Sequence, residues 1–219
     1  MHLDTRALSG GMERATITSM ALEAEPTTVP VPASVRFPVE LEIPPGFDPD
    51  EPTTWPDVEG RLEYVEGRLL FMPPCGDLQQ GVATGVAVVL GTWAEEHPEF
   101  FVGSNEAGMR LGKDTRAAEG AVWRRSELGS LTGKFIRVVP ILAAEVAGEA
   151  EGEAELRKKA SWYISHGVHV VWLLLPRSRE VIVLGAGSES RHGIGDRLPQ
   201  HAALPGLAPE VERFFRQLG

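Results

Sequence analysis

A chain of 219 residues, 42% apolar and 24% charged, is long enough to bury one substantial core, and a single domain is the default organisation. Its one cysteine, Cys75, excludes an internal disulfide and a cysteine-based zinc site. No apolar run reaches the roughly 18 residues of a membrane span, and a net charge of −10 argues against nonspecific coating of nucleic acid, which relies on Lys and Arg neutralising phosphate. The expectation is a soluble, cytoplasmic protein without a membrane partner.

Residues 1–34 mix Gly, Ser, Thr, Glu and Pro without periodicity and read as a flexible N-terminal segment, leaving 35–219 as the domain. Residues 35–60 stay proline-rich, with Pro44-Pro45 and Trp55-Pro56, and read as an extended, partly packed arm ahead of a regular domain starting near Arg61. Leu62–Val65 and Arg68–Met72 flank Glu66-Gly67, the pattern of a two-residue β-hairpin, and Pro73-Pro74 ends it. Asp77 is expected to cap a helix running to about Glu96, with Val82, Val86, Val89, Leu90 and Trp93 on one stripe.

Phe100–Val102 and Gly108–Leu111 read as one strand or two pieces of one, and Ala118–Trp123 as the next. Val138–Ala147 is apolar at nearly every position, as in a central strand covered on both faces. A glutamate-rich loop then leads into a helix over 153–166 closed by Gly167, followed by strands Val168–Leu175 and Glu180–Leu184. A last helix, opened by Pro209, buries Val211, Phe214 and Phe215.

Three residues carry the chemical interest. Glu145 interrupts the otherwise apolar strand, and an unpaired charge there would cost several kcal/mol. The following helix sets Leu156, Lys159, Ala160 and Tyr163 on one stripe, so Lys159 faces the sheet while Arg157 and Lys158 do not. A lysine facing a lone buried glutamate is either a structural ion pair or an active-site pair, and on these two residues alone the structural reading is favoured. Glu119 opens the neighbouring strand, so two carboxylates and a lysine can converge. With a backbone carbonyl such as that of Val146, they form an oxygen set suited to Mg²⁺, and Lys159 would orient a bound water or stabilise phosphate charge.

Between Arg110 and Arg137, seven basic residues stand against three acidic ones, a regional balance of +4 that reads equally as a solvated surface or a nucleic-acid groove. The six histidines show no metal-ligand spacing beyond His166 and His169, which straddle a helix end and read as surface residues.

The order of helix, three strands, helix and strand resembles the restriction-endonuclease-like core of the PD-(D/E)XK nuclease superfamily. The local motifs resemble its bacterial putative restriction endonuclease family, over about Arg61 to Phe215. They are Leu62-Glu63-Tyr64-Val65-Glu66-Gly67, Arg116-Ala117-Ala118-Glu119 in place of Arg-x-Pro-Asp, Pro140 to Val146, Lys159-Ala160-Ser161-Trp162-Tyr163, and Leu204-Pro205-Gly206. The resemblance implies an α/β fold and Mg²⁺-dependent hydrolysis of DNA phosphodiester bonds. In that scheme Glu119, Glu145 and the Val146 carbonyl are ligands, Lys159 is the catalytic cation, and Glu63 lies near the site. It also allows a homodimer, since nucleases that cut both strands are often dimers. The chain departs from the family at Glu119 in place of Asp, Leu78-Gln79 in place of a histidine, Gly148 in place of a polar residue, and Leu175 in place of an Asp. The alternative is therefore an inactive nuclease-fold domain that binds nucleic acid or another partner. For the N-terminal segment, removal of residues 1–34 should be benign, and a melting temperature within a few degrees of the full chain's is the expected result.

Overall fold

The computed structural model describes residues 37–149 and 151–219, so the expectation for residues 1–34 lies outside the described part. Strands β2 (Arg61–Val65) and β3 (Arg68–Met72) form the expected hairpin. Its turn residues Glu66 and Gly67 take φ of 53° and 80°, both positive as a twist-matched two-residue turn requires. The proline-rich arm contributes a short strand, β1 (Val39–Leu41), which pairs with β3, so regular structure begins earlier than Arg61.

Helix α1 (Asp77–Glu95) buries all five stripe residues. Its N-cap is Gly76 rather than Asp77, whose carboxylate accepts the adjacent Leu78 N–H at 2.7 Å, too local a bond to cap the turn. Strand β4 (Phe100–Leu111) is continuous, with a bulge between Ser104 and Ala107 where Asn105 and Glu106 adopt positive φ. Strand β5 (Asp114–Arg124) pairs with it throughout, and a single-turn helix, α2 (Arg125–Leu128), follows.

The buried strand β6 (Leu142–Val146) is shorter than expected because Pro140 has no N–H to contribute to a ladder. Helix α3 (Glu153–Ser165) crosses to the parallel strand β7 (Val170–Leu175), and Gly167 closes it at φ 94°. Strands β8 (Glu180–Gly185) and β9 (Ser188–His192) extend the sheet antiparallel, β9 being too polar to have been read as a strand. The C-terminal helix α4 is only Glu212–Phe215, because the Pro209 carbonyl is occupied by Leu198 N–H and Glu210 bridges to Arg197.

The sheet runs β1-β3-β2-β5-β6-β7-β8-β9, with β4 on the remaining edge of β5. Alternation along β6 and β7 divides the core. Leu142, Ala144, Val146, Trp172 and Leu174 pack toward α1 and α4, whereas Ala143, Val171 and Leu173 pack toward α3. Both faces are thus covered, which explains the unbroken apolar run of the central strands.

One edge of β5 is shared. Strand β2 meets it at Tyr64↔Thr115, and β6 takes over from Gly120↔Ala144. Between these pairs the sheet forks, and continuing the two registers sets Glu63 beside Arg116 and Glu119 beside Glu145.

Packing of α1 on α4 depends on a missing side chain, since a Cβ at Gly85 would collide with the Phe214 carbonyl oxygen. Gly85→Ala is therefore expected to lose about 1 to 3 kcal/mol through overpacking, despite the better helix propensity of Ala. Urea denaturation of the variant beside the parent measures it.

Candidate active site

Around the fork, β2 supplies Arg61 and Glu63, β5 supplies Arg116 and Glu119, β6 supplies Glu145, and α3 supplies Lys159 and Tyr163. The loop before α3 adds Glu151. Seven of these eight are buried to at least nine-tenths; Arg116, half-buried, is the exception. Their charges therefore interact with weak solvent screening and must be compensated locally.

Compensation takes the form of an alternating chain. Glu119 lies 3.5 Å from an Arg61 guanidinium nitrogen, and Arg61 donates to Glu151 at 3.0 Å. Glu151 accepts from Lys159 at 2.9 Å, and Lys159 lies 3.5 Å from Glu145. Tyr163 closes the far end, donating its hydroxyl to Glu145 at 2.6 Å. Glu63 lies beneath, held by Arg116 at 2.6 Å and 4.0 Å from both Arg61 and Lys159.

The electrostatics follow from this geometry. Burial pushes the Glu145 carboxyl above the usual glutamate range, and Lys159 and Arg61 only partly counter it. Glu63 is equally buried, yet Lys159, Arg116 and Arg61 together hold it below that range and keep it ionised. Burial disfavours the Lys159 ammonium, but Glu145 and Glu63 outweigh it and raise its pKa. Burial and the same two carboxylates push the Tyr163 hydroxyl well up, so it remains a donor.

A cleft of about 460 Å³ opens over one end of the chain. Arg61, Gln79, Glu119 and Glu151 line it, with Cys75 and Glu106 also in its wall, while Glu63, Glu145 and Lys159 do not. Gln79 donates to Glu119 at 2.9 Å. It occupies space that a side chain at position 148 would need, since a Cβ at Gly148 would strike its Oε1.

All four predicted side chains thus belong to one charge network, although Arg61 and Glu151 stand between Glu119 and Glu145. Sequence reasoning overlooked both. Arg61 carried a signal, two residues before Glu63 on the same strand face; Glu151, in an irregular loop, carried none. Val146, named for its carbonyl, pairs with Leu174 and sends its side chain into the core beneath α1.

The basic stretch 110–137 does not form a free groove. Five of its seven cations pair with carboxylates: Arg110 and Arg137 with Asp50, Lys134 with Glu51, Arg116 with Glu63, and Arg124 with Glu127. The arm thus offsets much of the regional positive charge.

A mixed sheet between α1 and α3, with a buried acid–lysine network at its fork, defines a nuclease-type α/β protein. The family model described as putative restriction endonuclease matches residues 49–212, and the chain belongs to that family. A crystal structure of a putative nuclease from Anabaena variabilis is similar at a TM-score of 0.68, with 16% identity over 79% of this chain and 99% of that one, a likeness of fold. No curated protein matches the chain.

The network yields a stability test in the absence of divalent cations. Lys159→Met strands three carboxylates and is expected to cost about 3 to 5 kcal/mol, whereas Glu145→Gln should cost about 1 kcal/mol or less. The double variant should recover only part of the loss, because Glu151 and Glu63 still lack the ammonium. Glu145 has a raised folded pKa, so its contribution is fully present below the ordinary carboxyl pKa and is lost as pH rises through the folded value. Stability of the parent relative to Glu145→Gln should therefore fall across that interval. Urea midpoints of the three variants and the parent between pH 4 and 8 test both expectations.

Proposed function

We propose that the chain is a Mg²⁺-dependent endonuclease that hydrolyses DNA phosphodiester bonds, with Glu119 and Glu145 as metal ligands and Lys159 as the catalytic cation. The observation that carries this reading is the buried Lys159 ammonium, 3.5 Å from Glu145 behind a cleft whose floor holds Glu119. Family membership supports nuclease function; the metal, the substrate and the residue roles are this proposal's own.

The donor set fits a small hard cation. Among the described residues no three His, Cys, Asp or Glu side chains are grouped to hold a metal alone, but Mg²⁺ commonly takes one or two carboxylates and completes its shell with water and phosphate oxygens. Oε1 of Glu63, buried without a hydrogen-bond partner, adds spare acceptor capacity beside the network. Glu119, Glu145 and the Val146 carbonyl would hold the ion, which when bound polarises phosphate and acidifies its water.

The chain's own groups do the rest. Lys159 is kept charged by its carboxylates and fixed by α3, so it can stabilise developing negative charge without reorganising. Tyr163 holds one oxygen of Glu145 and directs the other toward Lys159. Arg61, the one cation lining the cleft, would meet an entering phosphate and exchange a carboxylate partner for it. Cutting both strands of a duplex would call for two copies of the chain.

A second reading, a nuclease-fold binding module without catalysis, is favoured by Arg61 tying up Glu119 and Glu151. Cleavage of plasmid and oligonucleotide DNA with Mg²⁺, Mn²⁺ or chelator separates the two. Metal-dependent cleavage is expected, with Glu145→Gln and Lys159→Met each reducing it roughly 100-fold or more while remaining folded. Absence of cleavage by the parent with either metal would leave the binding module.

A further inference from the structure

A second pocket, of about 240 Å³, lies on the other side of Arg61 from the first and is bounded by the arm, β2 and β5. That is roughly eight times the ~30 Å³ a water molecule occupies in the liquid, enough for a phosphate group with part of its hydration shell. Trp55, Arg61 and Arg116 are among its lining residues.

Those three residues share a second property. Trp55 Nε1, Arg61 Nε and Arg116 Nε are buried N–H donors with no hydrogen-bond partner in the protein. Among the described residues only four buried side-chain nitrogens are in this state, the fourth being Trp172 Nε1 in the core, so three of the four border one pocket. Buried donors are almost always satisfied, and a cluster of them around one space indicates a ligand that accepts hydrogen bonds. Two belong to guanidinium groups, which select anions with several acceptor oxygens.

The geometry points to a phosphate-binding site in this pocket, with Trp55, Arg61 and Arg116 as its donors. Resting on the nuclease reading, it would hold the phosphate flanking the scissile one, since Arg61 and Glu106 belong to the walls of both pockets. Asp57 and Glu106 also line it, and the guanidinium pair must outweigh them. Arg116 is already held in place for this role, because Glu63 binds one terminal nitrogen and the guanidinium stacks 5.1 Å from the Trp162 ring centroid, leaving Nε uncommitted.

The test measures binding without metal and therefore without cleavage. Thermal shift of the full chain against inorganic phosphate, with chloride at equal ionic strength as control, should show saturable stabilisation. Trp55→Phe keeps the ring and removes one donor, and should weaken phosphate binding about 3- to 10-fold. Arg116→Lys keeps the charge and removes Nε, and should weaken it further. Glu145→Gln should leave phosphate binding unchanged even if it abolishes cleavage, so the site and the catalytic reading can fail separately. Competition by a short single-stranded oligonucleotide, lost in Trp55→Phe, assigns the site to a strand phosphate; phosphate binding without such competition assigns it to the free ion. Stabilisation no greater than with chloride, or equal phosphate affinity in the parent and Trp55→Phe, would overturn the site.

Discussion

The structure depends on how a buried charge network is held at a fork in the sheet. Strand β5 gives one edge first to β2 and then to β6, and the residues flanking the two contacts are Arg116, Glu119, Glu63 and Glu145. Backbone pairing cannot span the fork, so side chains must bind its two arms together. Burial makes neutral or closely opposed charges the only stable solutions, which is why acids and bases alternate from Glu119 to Glu145. The apolar layers above and below fix the strands; the charges fix the angle between them.

The same compensation leaves room for catalysis. Glu63, Glu119, Glu145 and Glu151 face Arg61, Arg116 and Lys159, so the cluster retains an excess of negative charge when all are ionised, a balance that tolerates a further cation. Lys159 and Tyr163 come from a helix packed on the sheet through Leu156 and Ala160, which anchors the donors to the core rather than to a loop. The side of the network open to solvent is where Arg61 and Glu151 stand, and these are the members free to exchange partners with a substrate.

Much of this was legible in the sequence because it is periodic. The α3 stripe placed Lys159 and Tyr163 on the sheet side, the apolar run around Glu145 marked that glutamate as buried, and Glu66-Gly67 marked the hairpin that brings Glu63 in. Glu151 was invisible because an irregular loop has no period to betray its direction. The pairing of Arg110, Lys134 and Arg137 with Asp50 and Glu51 was equally hidden, since it joins residues about 60 to 90 positions apart that local pattern cannot relate. A regional charge count therefore suggested a groove that the arm in fact neutralises.

Gln79 and Gly148 had read as two separate departures from the family's pattern, yet they fill the same space. The amide that reaches Glu119 occupies the volume a side chain after β6 would need. They are consequently a single exchange written at two positions, with a direction of travel. Enlarging residue 148 first meets a collision, whereas shortening Gln79 first merely deprives Glu119 of a donor. A route back toward the family's usual pair is passable in one order and obstructed in the other, so the history of this cleft is constrained by steric precedence as well as by chemistry.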